Sequence, residues 1–221
     1  MIAEKRDNLL AENLGSPEAP RYRAPATANR YLASLSAAFT RAVREWHWLR
    51  ENPLRQVSKG EEHPGIVRFL SDPEREALLA ASEKSALVEL PLIVLLALTT
   101  GMRRGEILGL RWPDIDLKRR QLVLNKTKNN DRRAVTIVPR VAQMLEEHAK
   151  VRRLDTDLVF AQPGKVKALE IDHWFAQALQ QAGVENFRFH DLRHTMASYL
   201  AMSGASRASA MRYASRAEND F

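Results

Sequence analysis

The feature that most constrains the fold is a long apolar segment in the middle of the chain. Residues 87–99 read LVELPLIVLLALT, which is apolar at almost every position. Pro91 falls in the first turn, where a helix tolerates proline, and Gly101 offers a C-terminal stop. The continuous run Leu90–Leu98 is too short to cross a bilayer. We therefore expect a helix buried in a domain core, which the rest of the chain must surround.

The chain after this helix carries patterns of both secondary-structure types. Apolar runs at 121–125 and 134–138 flank the segment KTKNNDRR, which predicts a β-hairpin with a basic tip. A short extended piece is expected at 157–160. Helices are expected at 141–151, 170–181 and 190–202. Before the buried helix, Ser71 and Glu74 have the spacing of a capping box, which predicts a helix to about Ser82.

The first part of the chain is expected to be helical too. A weak helix is predicted over 2–14, and a long amphipathic helix that ends before Asn52-Pro53. Its apolar positions recur every three to four residues: Ala28, Tyr31, Leu32, Leu35, Ala38, Phe39, Ala42, Val43 and Trp46. Residues 55–66 are polar with Gly and Pro and indicate a linker. The prediction is therefore a mainly α, two-lobed chain with a small antiparallel β-sheet and domains at 1–62 and 67–221.

Charge and cysteine content narrow the function classes. The chain has 34 Lys and Arg against 27 Asp and Glu, for a net charge of +7. Residues 118–133 carry seven basic side chains and one acidic, which suits a polyanionic partner, although a solvated loop gives the same pattern. No cysteine is present, which excludes disulfides and thiolate zinc sites. Residues 1–7 contain no apolar signal core, so a cytoplasmic, nucleoid-associated protein is expected.

The motif HDLRH brings a histidine and an arginine to one helical face. His190 and Arg193 are three residues apart, and side chains at that spacing are neighbours on a helix. A guanidinium can hold two phosphate oxygens, while an imidazole exchanges a proton near neutral pH. The alternative is an ordinary helix N-terminus that His190 or Asp191 caps.

The motif TTGMRRGEILGLRW places a second arginine after the buried helix. Gly101 ends that helix and Arg103 lies at the start of the next, with Ile107 and Leu110 expected to pack inward. An arginine at such a position can meet an anion. Taken singly, an arginine at this position is more often a surface residue.

Four motifs occur in one order: TGMRRGEILGLRWPDID, NKTKNNDRRAV, HDLRHT and RYA. Together they resemble the tyrosine recombinase family, which includes phage-type integrases and chromosome-resolving recombinases. The resemblance extends from about Ala26 to Tyr213. The segment ATANRYLASLSAAFTRAVREWHWLRENP is similar to the later part of that family's helical core-binding domain. The resemblance implies a partial core DNA-binding domain followed by a catalytic domain.

The resemblance assigns the family's catalytic residues to Arg103, Lys128, His190, Arg193 and Tyr213. Arg104 suits the first role less, because the family's arginine directly follows a Gly-hydrophobic pair, here Gly101-Met102.

Supporting roles fall to Glu106, as a hydrogen-bond partner of the first arginine or a simple surface acid, and to His194, as a structural residue. The expected DNA contacts lie on the long first-domain helix and the hairpin: Arg30, Arg41, Arg44, Lys126, Arg132 and Arg133.

These assignments imply site-specific recombination or integration through a 3′-phosphotyrosyl intermediate. Two arginines can stabilise charge on the phosphate, and the sequence has neither the carboxylate cluster of two-metal enzymes nor a P-loop. We therefore expect no metal and no other cofactor. Duplex DNA is the expected partner, with a homo-oligomer on DNA that the family implies to be a tetramer.

The segment before Tyr213 departs from the family pattern. The family has a Gly-His pair, with His or Trp as a phosphate contact, and a further helix between H-x-x-R and the tyrosine. Here GASRASAMRYA follows the helix predicted at 190–202 almost directly, so about four turns of helix present in the family pattern are missing before Tyr213. The family's core-binding domain also usually opens with an additional helix before the point that corresponds to Met1. Two alternatives stay open. Tyr213 reaches the phosphate by another path or from a neighbouring protomer, or the chain is a truncated or degenerate relative that binds duplex DNA without cleaving it.

Overall fold

The computed structural model describes residues 2–62, 68–124, 133–202 and 204. The chain divides into two compact units, Met1–Ile66 and Val67–Phe221. It is mainly helical with one small antiparallel sheet, which confirms the predicted fold class. Among the described residues, no helix combines the length and apolar character needed to cross a membrane.

Unit 1 contains two helices, α1 (Ile2–Ala11) and α2 (Pro25–Arg44). Buried Asn29 fastens α2 to the following segment, because its amide both donates to the Gly60 carbonyl and accepts from the Gly60 N–H, each at 2.8 Å. Farther along the chain, the Asn52 amide donates a hydrogen bond to the Ser36 carbonyl of α2 at 3.0 Å. The segment after α2 is thereby held along the helix.

The apolar face predicted for α2 is only partly covered. Ala28, Leu32 and Ala42 are buried, whereas Tyr31 and Leu35 remain 49% and 47% exposed. The helix also ends before the last position of the predicted pattern. Trp46 lies in the turn beyond it, with its ring centroid 4.6 Å from that of Trp48. The periodicity identified the helix, but not which part of its apolar face other residues cover.

Unit 2 begins with α3 (Asp72–Glu83), which starts as the sequence predicts. The Ser71 hydroxyl accepts a hydrogen bond from the Glu74 N–H, and the Glu74 carboxylate accepts from the Ser71 N–H at 2.9 Å. This reciprocal pair satisfies two backbone donors that a helix start leaves open.

Helix α4 (Leu90–Thr100) is the apolar segment identified first, and it lies in the core. Leu90, Ile93 and Leu96 are completely buried. Gly101 ends the helix with φ 60° and ψ 22°, the left-handed conformation that glycine adopts without a steric penalty. Helices α3, α5 (Arg104–Leu108), α6 (Pro139–Lys150) and α8 (Asp191–Met202) all pack on α4.

The sheet has the order β1 (Ile115–Asp116), β2 (Gln121–Leu124) and β3 (Arg133–Thr136), with both pairings antiparallel. Leu122 lies opposite Val135, which confirms the predicted hairpin pairing; its tip lies outside the described residues. The extended piece at 157–160 forms a bridge between Leu158 and Arg111.

The remaining helix is α7 (Asp172–Gln181), which packs against α3. His148 on α6 lies between the rings of Trp112 and Phe160, each with its centroid 5.8 Å away. A ring nitrogen of His148 is 2.8 Å from the Val159 carbonyl oxygen. This contact joins α6 to the extended piece.

Candidate active site

The first part of the site is the sharp turn between α4 and α5. The left-handed Gly101 reverses the chain, Met102 is buried beneath it, and Arg103 is extended as the N-cap of α5. Ile107 and Leu110 are 0% and 1% exposed, so α5 is fixed to the core as expected. The turn therefore holds Arg103 at the surface on a rigid support.

Arg103 is oriented by Glu106. The Glu106 carboxylate accepts from the Arg103 N–H at 2.8 Å and from its Nη1 at 3.1 Å. The side chains are 27% and 12% exposed, which favours a persistent pair over a solvated one. Of the two readings of Glu106, the structure contains the hydrogen bond to the first arginine.

The neighbouring Arg104 is engaged elsewhere. Its Nη1 and Nη2 donate to the two carboxylate oxygens of Asp172 on α7, both at 2.7 Å. This bidentate pair depresses the pKa of the Asp172 carboxyl through the hydrogen bond first and the opposite charge second. Arg104 thus joins α5 to α7, in keeping with the weaker fit of Arg104 to the catalytic motif.

The second part of the site is the first turn of α8. Arg193 is only 3% exposed, and its Nη1 donates to the Gly101 carbonyl at 2.6 Å. Because Gly101 is two residues before Arg103, this bond joins the H-x-x-R helix to the turn that carries the first arginine. Two motifs about 90 residues apart in sequence therefore meet in unit 2.

His190 is half-buried at the start of α8, and its pKa lies below the ordinary value of 6.5. Burial is the main cause, followed by the positive charges of His194 and Arg193; Asp191 opposes them. The rings of His190 and His194 meet edge to face, with centroids 5.1 Å apart. Near pH 7 the imidazole of His190 is therefore neutral and able to accept a proton.

Asp191 holds the turn that precedes α8. Its carboxylate is 2% exposed and accepts from the Arg188 N–H at 2.8 Å and from the Arg188 side chain at 3.1 Å. Asp191 thus serves the backbone of the turn before α8, because the Arg188 N–H that it binds lies three residues upstream of it.

The sequence did not predict how α8 is fastened to the start of unit 2. Buried Thr195 accepts from the Leu70 N–H at 3.1 Å, and the Tyr199 hydroxyl donates to Asp72 at 2.5 Å. The available signal was the four-residue spacing of Asp191, Thr195 and Tyr199, which puts polar groups on one helix face. Nothing in the sequence identifies the partner segment.

The basic residues predicted on α2 form one exposed row. Arg30, Arg41 and Arg44 are all exposed. Arg30 and Arg41 are eleven positions apart, about three turns, and Arg44 is one turn farther, so the three share a face. Arg41 also forms an ion pair with Glu45 at 2.8 Å.

Several expected site residues lie outside the described residues: Lys126, Lys128, Arg132 and Tyr213. The backbone of Arg133 belongs to β3. Within the described ranges, no group of three or more His, Asp or Glu side chains could hold a metal ion. The described part of the site is therefore built on arginine and histidine.

Comparison with known proteins gives consistent relatives. The sequence model of the phage integrase family matches residues 68–215. The integrase of Salmonella phage P22 is 30% identical over 198 residues, covering 84% of this chain and 49% of that protein. The shufflon-specific DNA recombinase of Escherichia coli is 36% identical over 196 residues, covering 87% and 48%. The chain thus spans about half the length of these curated relatives.

Solved structures show the same fold. The integrase of transposon Tn1549, in complex with circular intermediate DNA, aligns with a TM-score of 0.72 at 19% identity, covering 96% of this chain and 75% of that one. The lambda integrase dimer bound to a core site aligns with a TM-score of 0.61 at 21% identity, covering 86% and 71%. With the match over residues 68–215, the chain belongs to the phage integrase family, the tyrosine recombinases.

Proposed function

We propose that this chain carries out site-specific DNA recombination by metal-free transesterification, with a 3′-phosphotyrosyl intermediate. Residues 1–62 act as part of a core DNA-binding domain, and residues 67–221 act as the catalytic domain. Arg103, His190 and Arg193 bind and activate the scissile phosphate. Lys128 and Tyr213 are the proposed acid and nucleophile. The partner is duplex DNA.

The observation that carries the proposal is the hydrogen bond from Arg193 to the Gly101 carbonyl. It joins two arginine-bearing motifs that the sequence separates, beside a histidine that is neutral near pH 7. Two guanidiniums on one phosphate can stabilise the extra negative charge of a pentavalent transition state. A site made only to hold a helix in place needs neither a guanidinium at Arg103 that is still partly open to solvent nor the half-buried His190.

The proposed cleavage step exchanges one phosphodiester for another. The Tyr213 oxygen attacks the scissile phosphorus and the P–O5′ bond breaks, so the 3′ end becomes joined to the protein. The phenolic proton passes to His190, and Lys128 protonates the departing 5′ oxygen. Ordinary tyrosine has a pKa of about 10, so the accepting imidazole and the charge of the arginines are what make the attack feasible.

The second step reverses the first with a new strand. A 5′ hydroxyl gives its proton to Lys128 as it attacks the phosphotyrosyl phosphorus, and a phosphodiester forms. The departing tyrosine oxygen takes back its proton from His190. Bond types are conserved in both steps, so the reaction needs no nucleotide hydrolysis.

The DNA contacts outside the site are proposed to come from the α2 row and the hairpin. Arg30, Arg41 and Arg44 present positive charge along one helix face, as a phosphate backbone requires. The lambda integrase structure is a dimer on DNA. By analogy, this chain is proposed to act as a homo-oligomer assembled on its site.

The test is the capture of the covalent intermediate. A duplex that the protein selects from a random-sequence library is nicked close to the bound site, so that the short 5′ fragment diffuses away after cleavage. A denaturation-resistant protein–DNA adduct is expected with the unaltered chain and none with Tyr213→Phe. Arg104→Ala is the matched control, since that guanidinium binds Asp172, and it should still form the adduct.

The competing function is duplex binding without cleavage on the same scaffold. It predicts retention of the selected duplex that weakens steeply with salt, and no adduct at any protein concentration that saturates the DNA. That result would refute strand cleavage and retain DNA binding. Binding without salt dependence would contradict both functions.

A further inference from the structure

The chain segment that enters unit 2 is hydrogen-bonded to the helix of the H-x-x-R motif. Leu70 is fully buried, three residues after the start of the unit. Its N–H donates to the Thr195 hydroxyl at 3.1 Å, and its carbonyl oxygen is 3.4 Å from the Tyr199 hydroxyl. Both backbone polar atoms of one residue thus face two side chains of α8.

Thr195 connects this segment to the first turn of α8. The side chain is fully buried, and while its oxygen accepts from Leu70 it donates to the Asp191 carbonyl at 2.9 Å. A buried hydroxyl that both donates and accepts fixes its neighbours more closely than a single bond does, because either loss leaves an unsatisfied polar group.

Tyr199 makes the second connection, one turn farther along. Its hydroxyl donates to Asp72 at 2.5 Å, and the guanidinium of Arg75 lies 4.8 Å from its ring centroid. The hydrogen bond to Asp72 raises the pKa of the Tyr199 phenol, which keeps it a neutral donor. A phenol in that state is a poor nucleophile, so Tyr199 is distinct in role from Tyr213.

The geometry of α8 relates these bonds to Arg193. Asp191, Thr195 and Tyr199 are spaced by four and share one face of α8, and on this face Thr195 and Tyr199 bind the 70–72 segment. Arg193 is two positions from Thr195, about 200° round the helix, and points to Gly101. The helix is therefore held from two sides, and its position on one side determines how Arg193 meets the other.

We call Arg103, His190 and Arg193 the phosphate clamp. We propose that Thr195 and Tyr199 are positioning residues of this clamp: they fix α8 on residues 70–72 and so set the placement of Arg193 and His190. This inference rests on the proposed function, because it takes Arg193 and His190 as groups that contact phosphate. Neither Thr195 nor Tyr199 contacts DNA in this role. The start of unit 2 thereby becomes a structural part of the clamp.

The main test compares a conservative and a disruptive substitution at the same position. Thr195→Ser keeps the hydroxyl, whereas Thr195→Val keeps the shape and removes both hydrogen bonds. On the selected nicked duplex, Thr195→Val should lower the single-turnover rate of adduct formation about tenfold. The dissociation constant of this variant for the duplex should stay within about twofold of the value for the unaltered chain. Thr195→Ser should recover most of that rate. Tyr199→Phe should lower the rate about threefold.

A second arm uses the free protein and needs no cleavage. Proton NMR titration of the His190 imidazole should give a higher pKa in Thr195→Val, because a looser first turn of α8 admits water and relieves the burial that lowers it. The groups facing His190, namely His194, Arg193, Asp191 and Arg188, are unchanged in that variant. Thr99→Val, which removes a hydroxyl that donates to the Leu95 carbonyl within α4, is the control and should leave the titration unaltered.

The outcomes separate the two proposals. If the unaltered chain forms no adduct, strand cleavage fails and the titration still decides the positioning role. If Thr195→Val matches the unaltered chain in adduct rate, or in titration where no adduct forms, the positioning role is overturned. A loss that Thr195→Ser shares in full also overturns it, since the hydroxyl would then be irrelevant.

Discussion

The arginines of α2 and those of the clamp belong to the same residue type but to opposite environments. Arg30, Arg41 and Arg44 are exposed on a helix whose apolar face is itself half open. Arg193 is buried and bonded to a backbone carbonyl, and Arg103 is held by Glu106. The exposed arginines of α2 can adjust to the path of a phosphate backbone, while the arginines held by hydrogen bonds are fixed in position.

This difference separates affinity from chemistry. Exposed charges act through screened, long-range attraction that strengthens binding and depends on salt. Donors held in place before the substrate arrives stabilise a transition state without reorganising, and small displacements reduce that effect. Changes on α2 should therefore alter binding, and changes in the clamp should alter rate.

The largest effect is expected at Arg193. Arg193→Lys keeps the charge but loses the planar fork that reaches Gly101 and a phosphate together, so the rate of adduct formation on saturated duplex should fall by about 10² to 10³. Single-turnover kinetics measure it. Arg104→Lys is the matched control in the same unit and should stay close to the unaltered rate. Equal rates for Arg193→Lys and the unaltered chain would remove the distinction between the two groups of arginines.

A moderate effect is expected on α2. Arg44→Ala should weaken duplex binding and reduce the slope of log affinity against log salt by about 0.9, as the loss of one phosphate contact requires. The cleavage rate at saturating DNA should not change. Affinity measured over a salt series tests this, with exposed Arg152 in unit 2, changed to Ala, as the comparison. A fall in the cleavage rate without a change in the salt slope would mean that Arg44 acts in the chemistry and not in binding.

The smallest effect concerns the helix start that supports α8. Arg68, and after it Ser71, lower the pKa of Glu74 from 4.5 to about 2. The pair therefore stabilises the fold above the ordinary pKa and loses its contribution as pH falls through about 2. Glu74→Gln should lower the free energy of unfolding by about 1 kcal/mol at pH 7, since solvent screens a partly exposed pair.

Denaturant titrations at several pH values provide the measurement for Glu74. The difference between Glu74→Gln and the unaltered chain should shrink as the pH approaches the depressed pKa. Glu76→Gln on the same helix serves as the control. A difference that persists unchanged at low pH would mean that packing, and not charge, stabilises this helix start.

Local patterns predicted the elements of this fold well. The Ser71–Glu74 box, the buried α4 and its stop at Gly101 depend on residues a few positions apart, and all are present. The open face of α2 was not predicted, because periodicity reports that a face is apolar and not what covers it. Tyr31 and Leu35 fit the pattern as well as the buried Leu32 does.

The site divides in the same way. The resemblance selected Arg103, His190 and Arg193. The bond from Arg193 to the Gly101 carbonyl, two residues before Arg103, crosses 92 positions and follows from tertiary packing alone. The Glu106 contact could be anticipated because it is three residues from Arg103 on one helix. The role of Leu70 could not, since a leucine backbone carries no signature of the side chains that bind it.

The left-handed turn at Gly101 has a mechanical consequence. The Gly101 carbonyl accepts a hydrogen bond from Arg193, and Arg103 follows Gly101 by two residues. Both arginines are therefore connected to the same turn. The proposed contact of both guanidiniums with one phosphate depends on the distance between them, which this one turn helps to set.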